Sequence, residues 1–140
     1  MWLSFAIIAA CLWGLNYALT EKILHSISPM TLLAFEMLIG AVSFFCISYF
    51  FNLKKDVETL SSHPNLFIFV IIEIVVVLLA NFFIVHSIQA KNATTAGIVE
   101  LLYPLFTILF TWLIFRDNHL SLSVIIGGGL ILSGVLVLQR

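Results

Sequence analysis

Residues 66–88 read LFIFVIIEIVVVLLANFFIVHSI. Within that stretch Glu73 is the one Asp, Glu, Lys or Arg. As a helix rising about 1.5 Å per residue it would reach about 34 Å, enough to cross a hydrocarbon core about 30 Å thick. Lipid offers no hydrogen-bond partner to bare backbone groups, so a helix is the form such a run must take. Working outward, polar punctuation marks off four more apolar runs, 2–20, 30–51, 94–115 and 122–139. Each of the five is about 18–23 residues, close to the ~20 needed for one helical crossing. Composition agrees. The 140 residues are 62% hydrophobic and 9% charged, with a mean hydropathy of +1.18. No soluble domain of this size could hide so much apolar surface. The chain reads as an all-α integral membrane protein, a single domain over residues 1–140 with five transmembrane helices and short loops. The longest loop is expected over Asn52–Asn65.

Several function classes fall away. A net charge of −1 supplies no basic face for nucleic acid. Cys11 and Cys46 sit in apolar runs and read as packing residues, not as a disulfide framework. His25, His63 and His119 lie in or near loops and His86 near a helix end, so no metal site is expected. Cofactors are not expected either, and with no His/Glu zinc motif or Ser–His pair the chain is not read as an enzyme. Met1-Trp2-Leu3-Ser4 lacks the basic start of a signal peptide, so the first run reads as a retained helix with Trp2 as an interfacial anchor.

The chemistry is expected where polar groups enter the runs. Carboxylates cost several kcal/mol in a bilayer core, about 2.5 or more on insertion scales. Glu36, Glu73 and Glu100 are therefore the candidates for substrate contact or proton coupling. The first run carries Ala6, Ala10, Gly14 and Ala18, a close-packing stripe, and beside it Trp13, Asn16, Tyr17 and Thr20. Glu36, Gly40 and Ser43 share one face of the second run, and Glu73, Ala80 and Asn81 roughly one face of the third. In the fourth, Ala93, Ala96, Gly97, Glu100, Tyr103, Pro104, Thr107 and Thr111 form one small-and-polar stripe. Pro104 has no N–H for the carbonyl of Glu100, four residues earlier. Counted along the helices, Glu36 and Glu100 lie roughly 9–10 Å in from the face opposite the N-terminus. Asn81 falls at a similar depth and Asn16 nearby, whereas Glu73 lies toward the N-terminal face. Trp13, Asn16, Tyr17, Asn81, Tyr103 and Pro104 are thus expected to line a pocket between helices. In the fifth run Gly127, Gly128, Gly129, Ser133 and Gly134 read as a close-packed helix.

These features together resemble the EamA-type repeat of the drug/metabolite transporter superfamily, over essentially the whole chain. Leu12-Trp13-Gly14-Leu15-Asn16-Tyr17 is similar to its first-helix signature. Ile27-Ser28-Pro29 resembles its Ser-Pro start of the second helix, Ala93–Phe106 its fourth helix, and Gly127 to Gly134 its fifth. Two positions depart from it: Glu36 falls where the family often has arginine, and Arg116-Asp117 where it often has Gly-Glu. The resemblance implies one half of a ten-helix inverted-repeat architecture, here as a single five-helix repeat. It implies a multi-pass transporter of the cell inner membrane, exporting a small metabolite or drug-like solute. The expected partners are the lipid bilayer, the solute and a second five-helix unit, in a homodimer or heterodimer. The alternative is a non-transporting membrane subunit of a larger complex. Orientation is weakly instructed, with Lys54, Lys55 and Arg116 on one side and Lys22, Lys91 and Arg140 on the other. That balance would suit two copies inserted in opposite senses; the alternative is a single fixed orientation, in a parallel homodimer or a heterodimer with a second five-helix chain.

Overall fold

The computed structural model describes residues 1–117 and 120–138. His119, read above as a loop residue, and Gln139 and Arg140, at the end of the fifth run, lie outside them. The regular elements among the described residues are all helical. Helix α1 spans Trp2–Ile23 and α2 spans Pro29–Phe51. Ser28 caps α2, its Oγ accepting from the Thr31 N–H at 3.3 Å, and Pro29 takes the first helical position where its missing N–H costs nothing.

Asn52–Asn65 is not the loop expected of it. Asn52 leads directly into α3, Leu53–Ser62, and His63 alone separates α3 from α4, Pro64–Ala90. Leu53, Val57 and Leu60 recur at i, i+4 and i+7, an apolar stripe with Lys54, Lys55 and Glu58 set off it. Thr59, Ser61 and Ser62 donate their hydroxyls to carbonyls one turn back, at 2.8–2.9 Å. Such a short amphipathic helix suits the membrane surface rather than its core.

The fourth run is not one regular helix. It comprises α5, Ala93–Glu100, then α6, Tyr103–Phe110, then a π-helical turn over Thr111–Phe115. At the joint Leu102 N–H bonds the Val99 carbonyl at 3.1 Å, and Leu105 N–H the Leu102 carbonyl at 3.0 Å. These are the three-residue closures of a tightened turn. Pro104 falls in the first turn of α6, where a proline belongs. The run ends at Arg116, whose φ of 61° is left-handed backbone that glycine accepts freely. Its guanidinium lies 5.5 Å from the centre of the Trp112 ring. Helix α7, Leu122–Leu138, follows.

By length and hydropathy α1, α2, α4 and the stretch Ala93–Phe115 can cross a membrane; α7, 17 residues over the described range, is shorter. α4 packs on α1, α2 and α5, α1 also packs on α5, and α7 lies against α5. The buried core sits at one end. Leu24, Leu32, Leu33, Val85, Ile88, Ala93 and Ala96 form it, joined by Tyr17, Ile27, Phe82 and Ile84. All belong to the connections α1–α2 and α4–α5 or to the helix turns beside them, opposite the N-terminal face. Elsewhere large apolar side chains point outward, including Phe44, Phe50 and Val76. That is the surface lipid rewards and water penalises.

Candidate functional site

The packed end is pinned by a contact between helix ends. The Ala93 N–H donates to Glu21 Oε2 at 2.6 Å, and the Thr95 N–H to Asn92 Oδ1 at 2.7 Å. Two oxygens thus satisfy donors left open by the first turn of α5, and a carboxylate suits the positive end of its dipole. Nothing along the sequence marks Glu21 for this, since its partner is 72 residues away.

Just inside that end lie two cavities. The larger, about 660 Å³, lies between α1, α2 and α4. Trp13, Asn16, Tyr17, Glu36 and Asn81 line it, with Phe35 on the α2 side. Buried Thr20, Val85 and Ile88 close it toward the packed end. Asn81 donates an amide N–H to the Val77 carbonyl of its own helix at 2.8 Å. The second cavity, about 600 Å³, lies between α1 and the α5–α6 joint. Glu100 and Tyr103 line it from the joint and Trp13 and Tyr17 from α1. Both volumes fall in the range of small-molecule sites.

Tyr17 is the partition. Its ring borders both cavities, and its hydroxyl donates a hydrogen bond to Glu100 Oε2. Trp13 stands edge-on to it, ring centres 5.7 Å apart. Gly97, one turn before Glu100, makes room: a Cβ there would stand 3.2 Å from Tyr17 Cδ2. Sequence reasoning did not single out Gly97 for this, or Phe35 for the larger cavity; Thr20 shares the polar face of the first run with Trp13, Asn16 and Tyr17 and lines the larger cavity with them. A residue's neighbours on other helices leave no periodic trace.

The sequence candidates therefore divide. Asn16, Glu36 and Asn81 share the first cavity, Glu100 and Tyr103 the second, and Trp13 and Tyr17 both. Glu73 is exposed on α4 and lines neither. Pro104 is half-buried and lines neither; its effect is on the course of the backbone. Among the described residues no group of three or more His, Cys, Asp or Glu could hold a metal ion.

Comparison with known proteins gives one result. The model of the EamA-like transporter family matches residues 1–140, so the chain belongs to that family, within the drug/metabolite transporter superfamily. No curated protein and no solved structure matches it.

Proposed function

We propose, from that membership, that the chain is a secondary transporter of the cell inner membrane that exports a small metabolite or drug-like solute. It works as a dimer of five-helix units, α7 being the fifth crossing, and Glu100 exchanges a proton for the solute. The observation that carries this reading is the position of Glu100. Its carboxyl lies within an apolar helical stretch, borders a cavity of solute size, and takes a hydrogen bond from Tyr17 of another helix. An intramembrane carboxyl so placed is costly unless it is used. Glu36 and the polar residues of the neighbouring cavity are the further solute contacts.

The test is proton release from purified protein in weakly buffered detergent, challenged with a panel of metabolites and drug-like solutes, alongside counterflow in liposomes. An active solute should release protons from the wild-type protein. Glu100→Gln should abolish release and exchange while helix content and monodispersity stay unchanged. A Gln variant that transports normally would make the carboxyl structural and overturn the assignment. A folded wild-type protein that moves no solute would favour the partner-subunit alternative.

A further inference from the structure

We propose that the solute taken by this site is an organic cation with an apolar or aromatic body. The proposal rests on the transport reading above and names the substrate class for the same site. Its basis is the lining chemistry of the two cavities taken together. Each has a single Asp, Glu, Lys or Arg on its wall, and in each it is acidic: Glu36 in one, Glu100 in the other. Among the described residues no lysine, arginine or histidine lines either cavity. The cations lie at helix ends and connections instead, as with Lys22, Lys54, Lys91 and Arg116.

Charge decides which solutes can enter. An anion would face a carboxylate with no basic group to offset it. A neutral solute brings no charge, so it cannot take the place of the proton that the carboxyl gives up, and the ionised group would be left unpaired. A cation compensates the carboxylate as it arrives, and can do so in place of a proton. The rest of the wall suits the body of such a molecule. Trp13 and Tyr17 stand between the cavities, with Phe35 on one side and Tyr103 on the other. Indole and phenol faces attract cations and pack against apolar or aromatic groups. Asn16 and Asn81 add carbonyl oxygens, acceptors that a protonated amine can satisfy. Positively charged bodies of many shapes can use such a wall, because a ring face does not impose the fixed geometry that a paired hydrogen bond does.

The experiment compares tetraphenylphosphonium with tetraphenylborate, two ions of nearly the same size and shape and opposite charge. Equilibrium binding of each is measured on the purified full-length protein in nonionic detergent. Tetraphenylphosphonium should bind saturably and tetraphenylborate should not. Glu36→Gln should weaken the cation by about tenfold or more, as loss of one desolvated charge partner does. Glu36→Asp should restore part of that loss, and Trp13→Ala should weaken binding several-fold. Glu58→Gln, on α3 away from both cavities, should leave it unchanged, and circular dichroism checks the fold of every variant. Saturable binding of tetraphenylborate at equal or lower concentration would overturn the proposal. So would wild-type affinity for the cation in both Glu36→Gln and Glu100→Gln. Liposomes loaded with neutral, anionic and cationic solutes separate the two readings. Movement of neutral or anionic solutes alone overturns the cation assignment and leaves transport standing. Cation binding with no movement of any solute retains the assignment and removes transport.

Discussion

Gly97 and Gly128 are the glycines whose missing side chains matter most for packing. A Cβ on Gly97 would meet the Tyr17 ring at 3.2 Å, whereas one on Gly128 would stand 2.5 Å from Leu105 Cδ2, closer than atoms tolerate. Gly127, Gly129 and Gly134 have open space at the same position. Gly128→Ala must therefore displace Leu105, at an overpacking cost of about 1 kcal/mol. At Gly129 the same change meets nothing and carries the helix-propensity gain of alanine over glycine, up to about 1 kcal/mol. Thermal unfolding in detergent should find Gly129→Ala at or above the wild-type midpoint and Gly128→Ala below Gly129→Ala, because displacing Leu105 offsets the same alanine gain there; equal midpoints for the two variants would show that α6 and α7 are not held by this contact. The glycines of α7 stood out in the sequence as a small-residue run, but which of them touches a neighbour depends on the rotation of α7 against α6, which composition does not carry. The Tyr17–Glu100 bond was out of reach in the same way. Both residues were legible as polar intrusions, while their pairing across 83 positions was not.

At the scale of the element, the stretch from Ala93 to Phe115 is the most informative. A regular helix would set Glu100, Tyr103 and Thr107 on one continuous face. The tightened joint at Leu101–Leu102 instead restarts the helix at Tyr103, with Pro104 in its first turn. Pro104→Ala returns the N–H that the Glu100 carbonyl lacks and favours a straight helix through the joint. The thermal midpoint should hold or rise while solute exchange falls, measured on the same preparation; unchanged transport together with unchanged stability would make the proline incidental. The apolar runs and the Ser28-Pro29 start were plain in the sequence because they follow from composition and capping chemistry. Helix α3 was not, because its ten residues are polar on average and its stripe of Leu53, Val57 and Leu60 is one residue wide. Arg116 escaped as well. Its left-handed backbone holds the place where the resembled family often has glycine, and an arginine gives no sign that it will adopt it.

At the scale of the whole molecule, the end-to-end distribution of charge governs insertion. Helix order sets Lys22 and Lys91 beside the packed end, and Lys54, Lys55 and Arg116 toward the other. With α7 taken as the proposed fifth crossing, Arg140 counts with Lys22 and Lys91, and three basic residues stand against three. Cytoplasmic loops normally carry the excess of Lys and Arg, and here there is none. A C-terminal pair of reporters, one active only in the cytoplasm and one only outside it, should both give signal, and two added lysines at either end should drive the population one way. Signal from a single reporter would exclude an antiparallel homodimer and leave pairing with a second five-helix chain. The placement of the core was not legible at this scale, since the apolar runs look alike from end to end and only the folded chain distinguishes their packed tips from their free lengths. That asymmetry gives the molecule the mechanics of tongs. The fulcrum is the knot of Leu24, Leu32, Val85, Ile88 and Ala93, fastened by Glu21; α1 leaves it as one lever, while α2 and α4 leave it as a pair whose far ends α3 joins. A lever of about 20 helical residues is about 30 Å long. A turn of about 10° at the fulcrum therefore sweeps its tip through about 5 Å while the groups beside the fulcrum shift far less.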